Sequence, residues 1–249
     1  MVAAGAWGAG ALTRTGAVAA WTVGLLVLVG SGWEGGAILA AFFVPSSLIS
    51  RVAPPVPGMD PKGNCRDHWQ VYANGGVAAV GALVGFYDQT LALWLVTGAL
   101  AAAAADTWAT SMGSRSKVPP RLLWSGRIVA PGTSGGVTLL GCLGGIAGAA
   151  IVAGIGALVA RLALLLPLGT LIGFVGMVAD SALGAGLQGR FHCPTCDEPS
   201  EWRRHRCGTA TVWRGGVPWI DNDLVNLLAT ALAAGLAAAT WVWLGRSYW

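Results

Sequence analysis

Four carboxylates stand where long hydrophobic runs of this chain begin or end: Asp67, Asp106, Asp180 and Asp221. Ionisable groups beside membrane-length segments are costly unless they pair or bind a ligand, so each marks a candidate site. Asp106 lies in Ala105-Asp106-Thr107-Trp108-Ala109. A carboxylate and hydroxyls placed there can hold Mg²⁺, which keeps several waters and shares phosphate oxygens. Asp180, Gly184 and Gln188 recur every four residues and so share one helix face. Asp67, Val71 and Asn74 stack in the same way, although a helix N-cap is a competing role for Asp67. Asp221, Asn222, Asp223 and Asn226 open the last apolar run, and a cap accounts for one of these polar residues, not four.

A second group is suited to anions. Arg127 precedes the turn Pro131-Gly132-Thr133-Ser134-Gly135-Gly136, and an apolar run follows at once. Such a turn can aim backbone N–H groups at an anion, and the next helix adds the positive end of its dipole. Arg127 offers a bidentate fork that fits phosphate. The Gly-Lys-Ser/Thr ending of a Walker A loop is absent. Metal clamp, anion cradle and positive charge together are the inventory of a phosphoryl-transfer site. Asp106 and Asp180 are the foremost Mg²⁺ ligands, with Asp67 and Asp221 next, and Arg127 is the catalytic cation. Asn74, Thr107, Gln188, Asn222 and Asn226 are read as nucleotide- or substrate-orienting groups beside the 132–136 turn.

The cysteines form a third group. Cys193-Pro194-Thr195-Cys196 is followed by His205-Arg206-Cys207, three thiols and one imidazole at the spacing of a closed tetrahedral zinc site. Reduced thiols without metal, or a redox pair, are the other readings, and His192 is a substitute ligand. A zinc here is structural, since no coordination position is left open. Cys142 reads as a small core residue.

The elements that must position these groups are membrane helices. Of 249 residues, 55% are hydrophobic and 10% charged, and mean hydropathy is +0.63. A soluble domain carries roughly 25% charged residues. Disorder, collagen, coiled coil and disulfide scaffold are excluded by the same composition. About 20 apolar residues cross a bilayer, which predicts seven spans at 15–31, 34–50, 70–87, 89–105, 136–159, 162–188 and 222–244. The expected fold is an all-α polytopic membrane protein, one integral-membrane domain over 1–249. A small cytoplasmic zinc-knuckle-like loop is expected at 189–215. The first twelve residues read as a short interfacial helix, and the run after Arg14 as a retained span rather than a signal peptide. Gly pairs at four-residue spacing (Gly32/Gly36, Gly81/Gly85, Gly141/Gly145, Gly144/Gly148, Gly169/Gly173) predict close helix packing.

Charge predicts orientation. Thirteen of the 15 Lys and Arg residues fall on one side of the predicted spans, leaving Arg161 and Arg246 on the other. The bias places the N-terminus, the long loops and the candidate site in the cytoplasm and the C-terminus outside. Most acidic residues share the inner side, with Glu34 and Asp88 apart. The net charge of +4 is therefore a membrane-topology signal, and no nucleic-acid partner is expected.

Five motifs in order carry a family resemblance. They are Gln70 with Ala73-Asn74-Gly75-Gly76; Ala105-Asp106-Thr107-Trp108-Ala109; Pro131-Gly132-Thr133 with Gly135-Gly136; Asp180-Ser181 with Gly184 and Gln188; and Asp221-Asn222 with Asn226. The pattern resembles the integral-membrane family that contains plant phytyl-phosphate kinase, over nearly the whole chain. The resemblance implies transfer of a phosphoryl group, with CTP as donor, to an isoprenoid monophosphate such as phytyl or geranylgeranyl phosphate. The turn lacks the Lys found in otherwise similar lipid-alcohol kinases, which favours a phosphate acceptor. A cytidylyltransferase making a CDP-lipid is the second enzyme reading, and product analysis separates the two. A lipid or ion transporter is the non-enzyme reading, but its groups belong near the bilayer midplane, often within inverted repeats. Here they crowd one face.

Overall fold

The computed structural model describes residues 2–53 and 65–248. Lys62 and Asp60, counted above in the first long loop, lie outside them. A short helix α1 (Val2–Gly8) forms within the first twelve residues, and α2 (Arg14–Val52) follows. Helix α3 (His68–Ala82) runs into a 3₁₀ turn at Leu83–Phe86, then α4 (Gln89–Gly113) begins. A ribbon of β1 (Arg121–Leu122) and β2 (Gly136–Val137) leads to α5 (Leu139–Ala160) and α6 (Leu165–Leu187). Strands β3 (Arg190–Cys193), β4 (Glu198–Ser200) and β5 (Val212–Gly215) form an antiparallel sheet in the order β4-β3-β5 before α7 (Asn222–Tyr248). The fold is thus helical but not purely so: the expected loop at 189–215 is a small sheet, because its Cys-x₂-Cys turn joins paired strands.

Among the described residues five helices, α2, α4, α5, α6 and α7, are long and apolar enough to cross a membrane. Counted as uninterrupted segments, that is five rather than the expected seven. The difference lies in α2 and α3. The spans expected at 15–31 and 34–50 are one element, interrupted where Ser31 (φ −123°) and Gly32 (φ 67°) leave helical geometry. A straight helix of 39 residues would reach roughly 58 Å, yet the Arg51 guanidinium near its end donates to the carbonyl of Ala9, before its start. The two arms therefore fold back on each other. Gly32 supplies the positive φ that a Cβ would strain, and Gln89 Nε2 caps the freed Ser31 carbonyl at 2.9 Å. Gly32 is thus a turn residue, not the packing residue expected. At the same end, a Cβ on Gly85 would fall on the Gly30 carbonyl.

Helix α4 is the buried axis of the bundle. Ala99, Ala101, Ala102, Ala103, Ala104 and Ala105 are all buried on it. These small side chains let neighbouring backbones approach, which is how helices associate where lipid competes with every apolar contact. A Cβ on Gly173 of α6 would meet Ala101, and one on Gly176 would meet Ala102. Gly145 and Gly148 of α5 face the carbonyls of Ala105 and Ala104, while Gly98 faces the Ala233 carbonyl of α7. The outer surface is apolar, with Val18, Leu25, Leu28, Leu143 and Leu171 exposed. Such a surface is suited to lipid.

The helix ends that carry polar residues are gathered on one face. A bridge between Leu12 and Arg66 joins the starts of α2 and α3. Arg115, past α4, donates to the Val52 carbonyl at 2.6 Å, and Gly113 packs on Thr138 at the start of α5. Gln188 bridges to Val217, and Gly189 N–H donates to the Ile220 carbonyl, zipping the end of α6 to the start of α7.

Candidate functional site

Helix α4 continues two turns past the expected end at residue 105, so Asp106 and Thr107 project from a formed helix rather than from a loop. This continuation follows from the packing of Gly141 and Gly144 against the carbonyls of Ala109 and Trp108. Asp180 lies in α6, whose Met177 packs on Gly145 opposite Ala105. Asp106 and Glu201 are both close enough to Asp180 to act on it electrostatically. Two of the three carboxylates were expected to meet; the third, Glu201, is an addition. It sits just after β4, and its Oε1 accepts a hydrogen bond from Ser134 Oγ at 2.7 Å. No local spacing signals it, because its contact spans 67 residues of sequence. Among the described residues, neither Asp106 nor Asp180 is paired with Lys or Arg. Asp180 Oδ2 is buried and has no hydrogen-bond partner among the described residues.

The glycine turn packs on this part of α6. Trp124 Nε1 donates to the Ala182 carbonyl at 3.3 Å and holds the ribbon against the helix. Gly135 (φ 76°) sits on the Ser181 carbonyl and Ala185, where no Cβ fits. Within the turn, the amides of Thr133 and Gly136 donate to Ala130 and Thr133. Among the described residues those of Ser134 and Gly135 donate to no backbone carbonyl. Gly132 (φ 86°) completes the bend. A point 1.5 Å from the Gly184 backbone, where a Cβ would stand, has Gln188 Oε1, Gly135 N and Ser134 Cβ within 3.5, 3.6 and 3.7 Å. Gln188 is only 2% exposed, and its Nε2 has no hydrogen-bond partner among the described residues. Gln188 Oε1 and the Gly135 amide thus approach the same point beside Gly184, on the helix that also carries Asp180. Buried groups of this kind are paired in nearly all structures, with protein, ordered water or an ion, so these atoms can take a water or a ligand.

Other expected residues occupy the same face in different roles. Asp67 Oδ1 accepts from Gln70 N–H at 3.0 Å while Gln70 Oε1 accepts from Asp67 N–H at 3.2 Å, a capping box that starts α3. Asp221 Oδ1 accepts from Leu224 N–H at 3.0 Å and caps α7. Both carboxylates serve the helix termini, and among the described residues no hydrogen bond or ion pair links either to Asp106 or Asp180. Asn74 donates to the Gln70 carbonyl at 2.8 Å. Asn226 is buried one turn before Thr230, whose hydroxyl lies 3.2 Å from the Ala73 carbonyl, so Asn74 and Asn226 belong to the same α3–α7 seam. Asn222 opens α7, half-buried. Arg127 is exposed on the ribbon, and among the described residues its guanidinium bonds to none of the carboxylates.

The cysteine set is brought together as the spacing predicts. One ligand atom from each of Cys193, Cys196, His205 and Cys207 lies within 4.8 Å of all the others. Cys193 Sγ and Cys207 Sγ are 3.6 Å apart. Two thiolates on a tetrahedral zinc stand about 3.8 Å apart for Zn–S bonds of about 2.3 Å, so the residues fit a metal. Two tight turns present them: Asp197 (φ 57°) returns its amide to the Cys193 carbonyl, and Gly208 (φ 86°) returns its amide to His205. His205 Nδ1 faces Cys207 at 3.2 Å while its Nε2 lies 3.4 Å from Glu198, the carboxylate–histidine arrangement that orients a ligating ring. Hydrogen bonding with Thr209 and then His205 draws the Cys207 thiol down to about 6. Cys196 is pushed up to about 11, chiefly by its hydrogen bond to Cys207. His192, the substitute ligand, bonds Asp197 at 2.9 Å and is not in the group. Cys142 is half-buried near the start of α5.

These features define a multi-pass integral-membrane protein with a polar end that joins carboxylates, a glycine turn and a metal-suited Cys₃His module. The chain belongs to the family described as integral membrane protein DUF92, which matches residues 1–234. This is the family to which the ordered motifs pointed, the one that includes phytyl-phosphate kinase. Among relatives, the uncharacterized membrane protein MJ0933 of Methanocaldococcus jannaschii is 30% identical over 180 residues, covering 70% of this chain and 74% of that protein. Protein PGR of Arabidopsis thaliana is 28% identical over 270 aligned residues, covering 94% and 90% respectively. The uncharacterized membrane protein sll0875 of Synechocystis is 26% identical over 235 residues, covering 91% and 81%. No solved structure matches the chain.

Proposed function

We propose that this protein transfers a phosphoryl group from a nucleotide, CTP foremost, to an isoprenoid monophosphate and so forms the diphosphate. The observation that carries this reading is the meeting of Asp106 and Asp180, from separate helices, beside the 131–136 turn at one end of an apolar bundle. The lipid tail lies against the helices and its phosphate at their polar end. An oxygen of that phosphate forms the new P–O bond to the donor's terminal phosphorus as the bond to the nucleoside diphosphate breaks. No strong general base is needed, because the acceptor is already ionised. Asp106 and Asp180 supply oxygen ligands for Mg²⁺, which offsets charge on the transferring group when bound. The amides of Ser134 and Gly135 and the Gln188 carboxamide donate to phosphate oxygens, and Arg127 approaches from the exposed ribbon. Thr107, Asn74, Asn222 and Asn226 orient substrate, and the Cys₃His module holds a structural zinc.

The test is a panel of prenyl monophosphates and free prenols incubated with purified protein and each labelled nucleotide. Prenyl diphosphate should form from the monophosphate, while free prenol reacts poorly. Turnover of prenol alone would move the protein to the lipid-alcohol kinases, and a CDP-lipid product would make it a cytidylyltransferase. Transfer in detergent, with no membrane gradient, argues against a transporter.

The same reading counts the two arms of α2 and the α3 rod as crossings, seven in all, with the polar end in the cytoplasm beside the nucleotide pool. Thirteen of 15 basic residues support that orientation. Reporter fusions at residues 60, 120 and 200 should all report cytoplasm, and fusions at the C-terminus the exterior. An external signal at any of the first three overturns the arrangement.

A further inference from the structure

Two open grooves lie on the outer surface where α2 and α3 begin, and neither is lined by Asp106, Asp180 or the 131–136 turn. The two helices start side by side. A parallel bridge joins Leu12 to Arg66, and the Thr13 amide donates to the Arg66 carbonyl at 3.0 Å. Both then run away from the polar end, so successive side chains on one face descend from head-group depth into hydrocarbon. On α2 that face carries Arg14, Val18 and Trp21, at i, i+4 and i+7; on α3 it carries His68 and Tyr72, at i and i+4. Each passes from a polar group to apolar or aromatic ones within two turns.

The first groove, about 380 Å³, lies between α2 and α3 and is lined by Arg14, Thr15, Val18, Ala19, His68 and Tyr72. The second, about 370 Å³, lies between α1 and α2, with Trp7, Ala17 and Trp21 beside the same Arg14 and Val18. Two channels of near-equal size therefore meet at one cation. No acid lines either of them. Asp67, next to His68, is outside the lining, and its Oδ1 is engaged by the Gln70 amide. Among the described residues Arg14 has no carboxylate at ion-pair distance. Its guanidinium stands 5.8 Å over the Trp7 ring, between the two channels. Thr15 Oγ1 lies 3.3 Å from His68 Nδ1, so a hydroxyl and an imidazole join the guanidinium at the rim. An exposed arginine alone is ordinarily just solvated; its place above two apolar channels is what points to a ligand. Basic clefts at the membrane surface hold anionic head groups, and the guanidinium fork fits phosphate oxygens. A phosphate ester with two hydrocarbon chains matches both channels, whereas a single-tailed prenyl phosphate would leave one of them empty.

We propose that the Arg14 rim binds one anionic diacyl phospholipid, with its phosphate on Arg14, Thr15 and His68 and its two chains in the grooves on either side of Val18. This site is separate from the one assigned to phosphoryl transfer and does not depend on that reading.

The experiment is titration of the purified, delipidated full-length protein in detergent, with bound lipid counted by native mass spectrometry. The probes are phosphatidylglycerol, phosphatidylcholine and geranylgeranyl phosphate. The wild type should take one phosphatidylglycerol at least about fivefold more tightly than phosphatidylcholine. Arg14→Gln should abolish that preference. Arg14→Met, which keeps a long side chain without its charge, should do the same and serves if the Gln variant does not fold. Val18 is 65% exposed, so Val18→Trp leaves the bundle's packing intact while filling both grooves. It should weaken phosphatidylglycerol by at least about tenfold with no change in charge. Arg161→Gln, at the opposite end after α5, should bind as the wild type does. Equal affinity of the wild type for the two phospholipids overturns the proposal, as does an undiminished preference in a folded Arg14 variant. An equal loss in Arg161→Gln would show general charge attraction and overturns it too. So does wild-type affinity in Val18→Trp. Displacement of phosphatidylglycerol by a lower concentration of geranylgeranyl phosphate, blocked by Val18→Trp, would give the grooves to the acceptor lipid and overturn the phospholipid assignment.

Discussion

Asp106→Asn and Asp180→Asn should each lower phosphoryl transfer by at least about a hundredfold, with the protein still folded and membrane-inserted. An Asn keeps the shape of the side chain but not the charge that a hard cation requires. The two positions come from α4 and α6, and their neighbourhood is fixed by the Gly145 and Gly173 contacts with α4. Neither substitution disturbs those contacts, so loss of activity reports the cation rather than the fold. The deciding measurement is transfer as a function of Mg²⁺ for both variants, with gel filtration as the folding control. Near-wild-type rates in both, or full activity in EDTA, would end the two-carboxylate mechanism even if the kinase reading survived.

The second large effect concerns the cysteines. Metal analysis should find about one zinc per chain, and Cys196→Ser should lower that content and loosen the 189–215 sheet. Four ligand atoms within 4.8 Å and Glu198 behind His205 make this a closed set, so chelation should also slacken the hold on Ser134 through Glu201. Protease sensitivity between β3 and β5 should rise on zinc removal. Stoichiometric protein without metal, with intact protease resistance and full activity, would defeat the assignment.

The elements were largely legible because their signals are local. Apolar runs located the long helices, although the two runs on either side of Ser31 and Gly32 proved to be one element, and Cys-x₂-Cys with His-x-Cys identified the metal-suited set. Capping residues were legible as alternatives: Asp67 proved to carry the capping box that competes with a ligand role. Less legible was what depends on a break inside an apolar run. Gly32 looked like a packing glycine, and only its φ of 67° reveals the turn that folds α2 on itself. The end of α4 was placed too early, since the hydropathy falls at Asp106 while packing against α5 keeps the backbone helical to Gly113.

What the amino-acid order by itself determined is the inventory: membrane helices, a polar face, a glycine turn and a Cys₃His group. Each depends on composition or on spacings of a few residues, where chain geometry leaves little freedom. Tertiary structure alone decided which members of that inventory meet. It joined Asp106 to Asp180 through the small-residue contacts of α4, α5 and α6, and left Arg127 on an exposed ribbon. It turned Asp67 and Asp221 to the helix termini and delivered Glu201 across 67 residues to Ser134. Contacts at that separation depend on how whole helices pack, and backbone approach at Ala and Gly sets that packing without leaving a polar signature in the sequence.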